Sequence, residues 1–324
     1  MSAENDFKYT DSDWEQLIQL RNQFLLEIGQ IKNQYWTSPQ LLELYHRTFA
    51  ERIGWKWEAV LNELKKKEAI QFAKQYVLLD FGCGTGIASS KFIEIMGPSL
   101  ISELWLWDRS KNAVRFATEK LKSKNPDIPV KDLQQLEAPK SDWILVLSHV
   151  INETSEKDLE VILALAGKAQ YVIWIEPGTR EHSSRLVEVR EKLKRIMNVI
   201  APCTHSEVCG MLAKENNKHW CHFFAPPPTE VFQSAFWNQF SKKMEIDLRS
   251  LPLSYLVFSR APQLNRGGQD MSRVIGRPRI YKGYGKFLLC NRKGIFDSRV
   301  LERENKNLFK EYKTTVFTKE IEIL

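Results

Sequence analysis

The stretch Val77-Leu78-Leu79-Asp80-Phe81-Gly82-Cys83-Gly84-Thr85-Gly86 constrains the fold more than any other part of the chain. Its apolar run reads as a fully buried strand, a glycine-rich turn follows at once, and Ile87 to Met96 continues with helical apolar spacing. Strand, tight turn and helix in that order bring backbone N–H groups and a helix N-terminus up to a ligand. The glycines fall as G-x-G-x-G and position 87 is Ile, so the dinucleotide pattern G-x-G-x-x-G is not met. An acid, Asp80, stands two residues before the first glycine. The expectation is an open α/β sheet with its ligand crevice at this turn.

D-x-G-x-G-x-G after a strand resembles the first motif of class I S-adenosylmethionine (SAM) methyltransferases. That resemblance implies a Rossmann-like sheet binding SAM, with Asp80 facing the methionine ammonium and Gly82, Gly84 and Gly86 letting the backbone approach the ligand. Further along, Leu104-Trp105-Leu106-Trp107 reads as the second strand and Asp108 closes it. A carboxylate there can accept from both hydroxyls of a ribose, and Asp108 lies 22 residues past Gly86, near the spacing of about 20 that this role takes. Asn112 to Leu121 reads as a helix. The strand Trp143–Leu147 ends in Ser148-His149-Val150-Ile151-Asn152-Glu153, at the carboxyl edge where ligands bind, so His149, Asn152 and Glu153 are candidates to line the pocket. Tyr171–Ile175 is the next strand, Glu176-Pro177-Gly178-Thr179 turns away at the same edge, and Leu186 to Ile200 reads as a charged amphipathic helix.

Three flanking pieces complete the expected organisation: a helical N-terminal extension (1–70), the methyltransferase-like domain (71–260) with a cysteine-rich insertion at 201–228, and a basic, β-rich C-terminal extension (261–324). In the first, residues 12–33 have helical spacing through Trp14, Leu17, Ile18, Leu25, Ile28 and Ile31, with Ser12 and Glu15 as a capping box. Ser38 and Pro39 open a second helix, and a third follows Gly54. The insertion resembles neither strand nor helix. A helix over 229–240 with Phe232, Phe236 and Phe240 on one side, a late strand Leu256–Phe258, a Gly-rich basic stretch, and an antiparallel pair Arg279–Tyr281 and Lys286–Cys290 follow it.

The net charge of +7 resides entirely beyond Ala261, where 14 Lys and Arg face 7 Asp and Glu; the first 260 residues carry 33 of each. A basic end on a neutral body suggests a polyanion, with RNA the first choice. No apolar run reaches the roughly 20 residues that cross a bilayer, and the polar, acidic start shows neither a signal nor a transit peptide. The expectation is a cytoplasmic, bacterial protein that needs no membrane, a monomer by default.

Cys83 sits in the glycine turn as a small space-filler, but Cys203, Cys209 and Cys221 crowd the insertion and Cys290 follows in the extension. In a reducing compartment such a grouping suggests a metal, and four thiolates satisfy tetrahedral zinc or an iron–sulfur cluster. The spacing lacks the C-x2-C pairs of zinc ribbons, so unlinked cysteines stay open, and His205, His219 and His222 lie beside the thiols.

Together Leu79–Gly86, Ile175–Thr179, Pro202-Cys203-Thr204-His205, Trp220-Cys221-His222-Phe223 and Gly285–Cys290 resemble the methyltransferase-like family associated with the small ribosomal subunit, bacterial relatives of the mitochondrial small-subunit assembly factor. The resemblance spans roughly residues 40 to 300. It implies a [4Fe–4S] cluster on Cys203, Cys209, Cys221 and Cys290, and a role in small-subunit assembly or translation through small-subunit rRNA.

A catalytic apparatus is less visible. Enzymes that methylate exocyclic amines carry Asn/Asp-Pro-Pro-aromatic where this chain has Ser148-His149-Val150-Ile151, and no cysteine suits a cytosine-C5 nucleophile. Two main readings follow: an RNA methyltransferase with His149, Asn152 or Glu153 near the target, or a non-catalytic RNA-binding assembly factor. A small-molecule methyltransferase with a structural zinc is the third.

Overall fold

A computed structural model describes residues 8–25, 36, 38–70, 72–249, 251–261, 271–307, 309–310 and 320–322. Helix α1 (Asp11–Phe24) is capped two residues earlier than Ser12. Thr10 accepts from the Asp13 N–H, and Asp13 reaches back to the Thr10 N–H, so these two make the capping box in place of Ser12 and Glu15. Trp14, Leu17 and Leu20 are its buried stripe, while Ile28 and Ile31 lie outside the described residues. Ser38 caps α2 (Pro39–Tyr45) with Pro39 at its first position, as expected. A π-turn over His46–Ala50 leads directly into α3 (Glu51–Lys66), so Gly54 does not start a helix. It lies inside one, where a Cβ would come within 3.1–3.3 Å of Lys91 and Ile87 and would crowd the packing of α3 on the next helix.

The main sheet follows the predicted alternation: β1 (Tyr76–Phe81), α4 (Ile87–Met96), β2 (Ile101–Trp107), α5 (Lys111–Lys124), a short β3 (Val130–Asp132), β4 (Trp143–Ser148), α6 (Glu156–Ala166), β5 (Tyr171–Pro177) and α7 (Arg180–Leu193). Residues 198–200, expected as the end of a helix, belong to strand β6 (Asn198–Ala201) instead, because α7 stops at Leu193 and the chain turns back to pair. The insertion holds one short strand, β7 (Phe223–Ala225), besides its 3-10 turns. The expected helix at 229–240 is broken into a 3-10 turn, Thr229–Phe232, and α8 (Ala235–Met244), which Ser234 caps. Phe232 is consequently exposed, while Phe240 is buried. Strand β8 (Leu251–Ser259) completes the order β3-β2-β1-β4-β5-β8-β6, with β7 also on β8.

Strands β1 to β5 pair in parallel, and β8 runs antiparallel to β5. The order reverses at β1, which has β2 on one side and β4 on the other. That is the switch point where α/β sheets open a crevice beyond their carboxyl ends. This is the class I SAM-methyltransferase architecture, an α/β Rossmann-like fold. β1, β4 and β5 are buried on both faces, which explains their continuous apolar runs. One core joins Trp14, Trp57 and Leu61 of the helical segment to Leu78, Ile144, Ile173 and Phe240.

A second sheet contains β9 (Met271–Tyr281), β10 (Tyr284–Asn291), β11 (Gly294–Leu301) and β12 (Glu320–Glu322), all antiparallel, in the order β11-β10-β9-β12. The Gly-rich stretch before it, at 262–270, lies outside the described residues. Val274, Phe287 and Leu289 form a small core of its own. Arg273 fastens it to the rest. This residue of β9 is 2% exposed and donates through Nη2 to Glu63 Oε2 of α3 at 3.0 Å and to the Tyr255 hydroxyl of β8 at 2.6 Å.

Candidate functional site

Asp80, next to last in β1, has no exposed surface. Its Oδ2 accepts from the Ser89 hydroxyl of α4 at 2.6 Å, whereas Oδ1 is buried with no partner within the protein. Burial raises its pKa to about 7, against the pull of the Ser89 bond, and the Asp108 charge adds to the rise. Gly82, Gly84 and Gly86 all take left-handed φ values, of 69°, 50° and 76°. They are not interchangeable. A Cβ on Gly82 would stand 2.6 Å from Val150 Cγ1 and one on Gly86 2.7 Å from Leu121 Cδ1, so both sites are pressed by the protein itself. A Cβ on Gly84 would meet nothing within 4 Å, which marks the open side of the turn.

Asp108 stands just past β2, and its carboxylate folds onto the glycine turn. The Gly84 N–H donates to Oδ2 at 3.0 Å and the Ser110 N–H to Oδ1 at 2.8 Å. A carboxylate has about four acceptor positions, so two remain for a diol. The Gly82 and Cys83 N–H groups both donate to the Trp107 carbonyl, which pins the turn to the end of β2. Helix α4 opens at Gly86 without a side-chain cap, leaving its first N–H groups facing the crevice. Asp80, Gly82, Gly84, Gly86 and Asp108 are thus brought together at the switch point. Cys83 is buried in the main core, a space-filler as expected.

Beyond β4, His149 takes a left-handed φ of 56°, and its N–H donates to the Ile175 carbonyl. Its Nε2 lies 3.4 Å from Nζ of Lys56, which enters from α3 and is buried. Desolvation lowers Lys56 to about 7, with Arg52 adding to the fall and Glu176 opposing it. The same desolvation, with Lys56, His182 and Arg52, holds the His149 imidazole neutral. Glu176, next to last in β5 and fully buried, accepts from the Val150 and Ile151 N–H groups and the Trp174 indole, and burial raises its pKa. Asn152 and Glu153 lie in the 3-10 turn after β4, and the charges of Glu153 and Asp108 both reach Tyr45. Lys56 and Glu176 were not singled out from the sequence. The signal for Lys56 was present, since Ile53, Lys56 and Val60 recur at helical spacing along the buried stripe of α3.

The four cysteines come from three separate places: Cys203 and Cys209 after β6, Cys221 before β7, and Cys290 in β10. They lie within electrostatic reach of one another. Burial raises the Cys221 thiol first, and the neighbouring Cys203, Cys209 and Cys290 push it further. Cys209 is raised to about 11 by burial and then by Cys203, and Cys290 by burial, Cys203 and Cys209. Arg190 of α7 is buried against this group, donating Nε to Cys203 Sγ at 3.1 Å, Nη1 to the Glu207 carbonyl and Nη2 to the His205 carbonyl. His205 Nε2 lies 3.7 Å from Cys290 Sγ. His222 stacks on Trp220 with its Nδ1 at that residue's carbonyl, turned to second-sheet Gly276 rather than to the thiols. Among the described residues no group of three or more His, Cys, Asp or Glu side chains is drawn tightly enough to grip a metal ion as it stands. Among them, too, no helix is long and apolar enough to cross a membrane.

Solved structures similar to the chain include magnesium protoporphyrin IX methyltransferase from Synechocystis PCC 6803 with bound SAM (14% identity, 71% of this chain and 95% of that one, TM-score 0.42). A SAM-dependent methyltransferase from Aquifex aeolicus is similar over 45% of this chain and 82% of its own (16% identity, TM-score 0.31). YcgJ protein from Bacillus subtilis is similar over 62% and 98% (12% identity, TM-score 0.36). No curated protein matches the chain. The family described as mitochondrial small ribosomal subunit Rsm22 matches residues 48–318, from the π-turn before α3 to the last residues before β12. By that match over most of its length, the chain belongs to the Rsm22 family.

Proposed function

We propose that the chain is a SAM-binding, methyltransferase-like assembly factor that binds small-subunit rRNA, and that Cys203, Cys209, Cys221 and Cys290 hold a [4Fe–4S] cluster. The observation that carries this reading is the meeting of four thiols from the insertion and the second sheet beside the buried Arg190. The thiols of Cys209, Cys221 and Cys290, which burial raises and the neighbouring cysteines raise further, stay protonated unless a cationic centre takes them as thiolates. A single zinc needs sulfurs about 3.8 Å apart, given Zn–S bonds near 2.3 Å. When bound, such a cluster supplies a staple between the sheet carrying the glycine turn and the basic sheet. At the turn, the unpartnered Asp80 Oδ1 and the open side of Gly84 fit the ammonium and backbone of a methionine ligand. The family's name supports the ribosomal small subunit as partner.

The acceptor side favours binding over methyl transfer. His149 is turned onto the buried Lys56, so it is not presented to an incoming base, and Glu176 spends Oε1 on two backbone N–H groups and an indole. Metal and sulfide analysis of anaerobically purified protein is the primary test: iron with equimolar sulfide is expected, bleached in Cys221→Ser. Zinc without sulfide refutes the cluster. Labelled SAM with 30S precursors separates binder from enzyme, since transfer abolished by Asp80→Ala would establish the enzyme instead.

A further inference from the structure

We propose that the outer face of the second sheet, at its hairpin end, is a platform for single-stranded RNA: Tyr281, backed by Tyr284 and Arg299, stacks on an unpaired base while Arg279 and Lys286 take the flanking phosphates. The proposal rests on the reading of RNA as partner and adds where it binds and in what form. Along β10 the side chains alternate strictly. Gly285, Phe287, Leu289 and Asn291 are buried toward the small core, which leaves Tyr284, Lys286, Leu288 and Cys290 on the opposite face. The register then builds two rows across three strands. Arg279, Lys286 and Arg299 stand directly opposite one another, and so do Tyr281, Tyr284 and Leu301.

Like charges placed opposite each other weaken a sheet. Among the described residues none of the three cations is in an ion pair, and all three are exposed. Asp297, the acid on this face of β11, lies opposite Leu288, one step toward the cysteines. A repulsive cation row left without carboxylates calls for an external polyanion. The adjoining row says which kind. The rings of Tyr281 and Tyr284 stack at 4.9 Å with 15° between planes, and Tyr281 is 43% exposed where a folded chain would ordinarily cover a ring. Arg299 lies over the Tyr284 ring at 4.3 Å, extending the flat surface. Gly283, at φ 81°, makes the two-residue hairpin loop that sets the two tyrosines side by side. Bases inside an A-form duplex are stacked on each other and offer no free face, so an aromatic pair at the surface selects unpaired nucleotides. Lys286 is four residues from Cys290 on the same strand face, about 13 Å at 3.3 Å per residue.

The test is fluorescence anisotropy of the full chain with labelled ten-nucleotide oligouridylate, across a salt series, beside a ten-base-pair RNA duplex. Tyr281→Ala with Tyr284→Ala is expected to weaken oligouridylate binding by about tenfold or more, whereas the double Phe variant binds like the wild type. Arg279→Ser with Lys286→Ser is expected to lower the salt slope by about 1.4, or ~0.7 per phosphate contact on a single strand. Melting curves of the Phe and Ser variants at or above that of the wild type confirm an intact sheet. Equal binding by wild type and the Ala variant overturns the proposal, and so does a duplex bound as tightly as the single strand. Displacement of the RNA by an oligoglutamate at equal concentration overturns it in favour of an acidic protein partner. Should the wild type bind neither RNA, the broader reading of an RNA partner fails; should every variant bind alike, only this placement fails.

Discussion

Glu63→Gln tests how the second sheet is held to the body. In the native protein Arg273 Nη2, the Tyr255 hydroxyl and Glu63 Oε2 form a closed triangle of 2.6–3.0 Å contacts, and Lys67 Nζ reaches Glu63 Oε1 at 2.8 Å. Burial by itself would raise the Glu63 carboxyl, but Arg273 and Lys67 more than offset it and hold it at about 2, down from 4.5. At 1.36 kcal/mol per pH unit that depression is worth about 3 kcal/mol. It agrees with the ~3–5 kcal/mol lost when one partner of a buried pair is removed and the other stays uncompensated. The amide keeps the shape of the side chain and leaves Arg273 buried without its counter-charge. The melting temperature at pH 7 should fall by roughly 5–10 °C, and amide exchange in β9 and β10 should accelerate first. The sign of the pH dependence follows from the depressed pKa. The stabilisation is complete above about 4.5 and disappears as pH falls through about 2, so wild type and variant should converge across that window. Thermal melts at pH 7, 4 and 2.5 measure this. A variant as stable as wild type at pH 7, or a gap that stays constant down to pH 2.5, refutes the argument.

The glycine turn yields a contrast within three positions. Gly82→Ala meets Val150 at 2.6 Å besides its left-handed φ and should cost well over the ~1–2 kcal/mol of the backbone strain alone, read as a lower melting temperature. Gly84→Ala carries only that strain, yet should lose most SAM affinity in calorimetry, because its Cβ would project into the open side of the turn. Asp80 predicts a pH dependence of that affinity. Its carboxyl, raised to about 7 by burial, is protonated in the ligand-free protein below that pH, so binding of the ammonium should weaken about tenfold per pH unit below 7 and level off above. In Asp80→Asn the slope should vanish. Arg190→Met should leave Cys203 without its Nε donor and the His205 and Glu207 carbonyls without theirs, lowering iron occupancy in anaerobically prepared protein at least severalfold.

Periodicity and turn chemistry determined, before any coordinate, everything that depends on neighbours in the chain. The buried strand before Gly82, the strands at 104–107, 143–147 and 171–175, the Ser38–Pro39 helix start and the antiparallel pair around Gly283 all appear where the pattern puts them. Each is set by side-chain alternation, a cap or a glycine acting over a few residues. Local signals failed where long-range pairing outweighed propensity. Asn198–Ile200 looked like the end of a helix and became part of a strand because β8 offered an unpaired edge, and the Thr229 helix broke at Gln233 with Ser234 free to cap a new one. Composition named the four cysteines, but only the tertiary structure brings thiols from three distant segments within electrostatic reach of one another, with Arg190 donating to Cys203. It alone buried Lys56 against His149 and Glu63 against Arg273, 210 residues apart. The physical reason is the same in each case. A charge is costly to bury without a partner, and which partner reaches it depends on how sheets and helices stack, a relation no sequence window of a few turns contains.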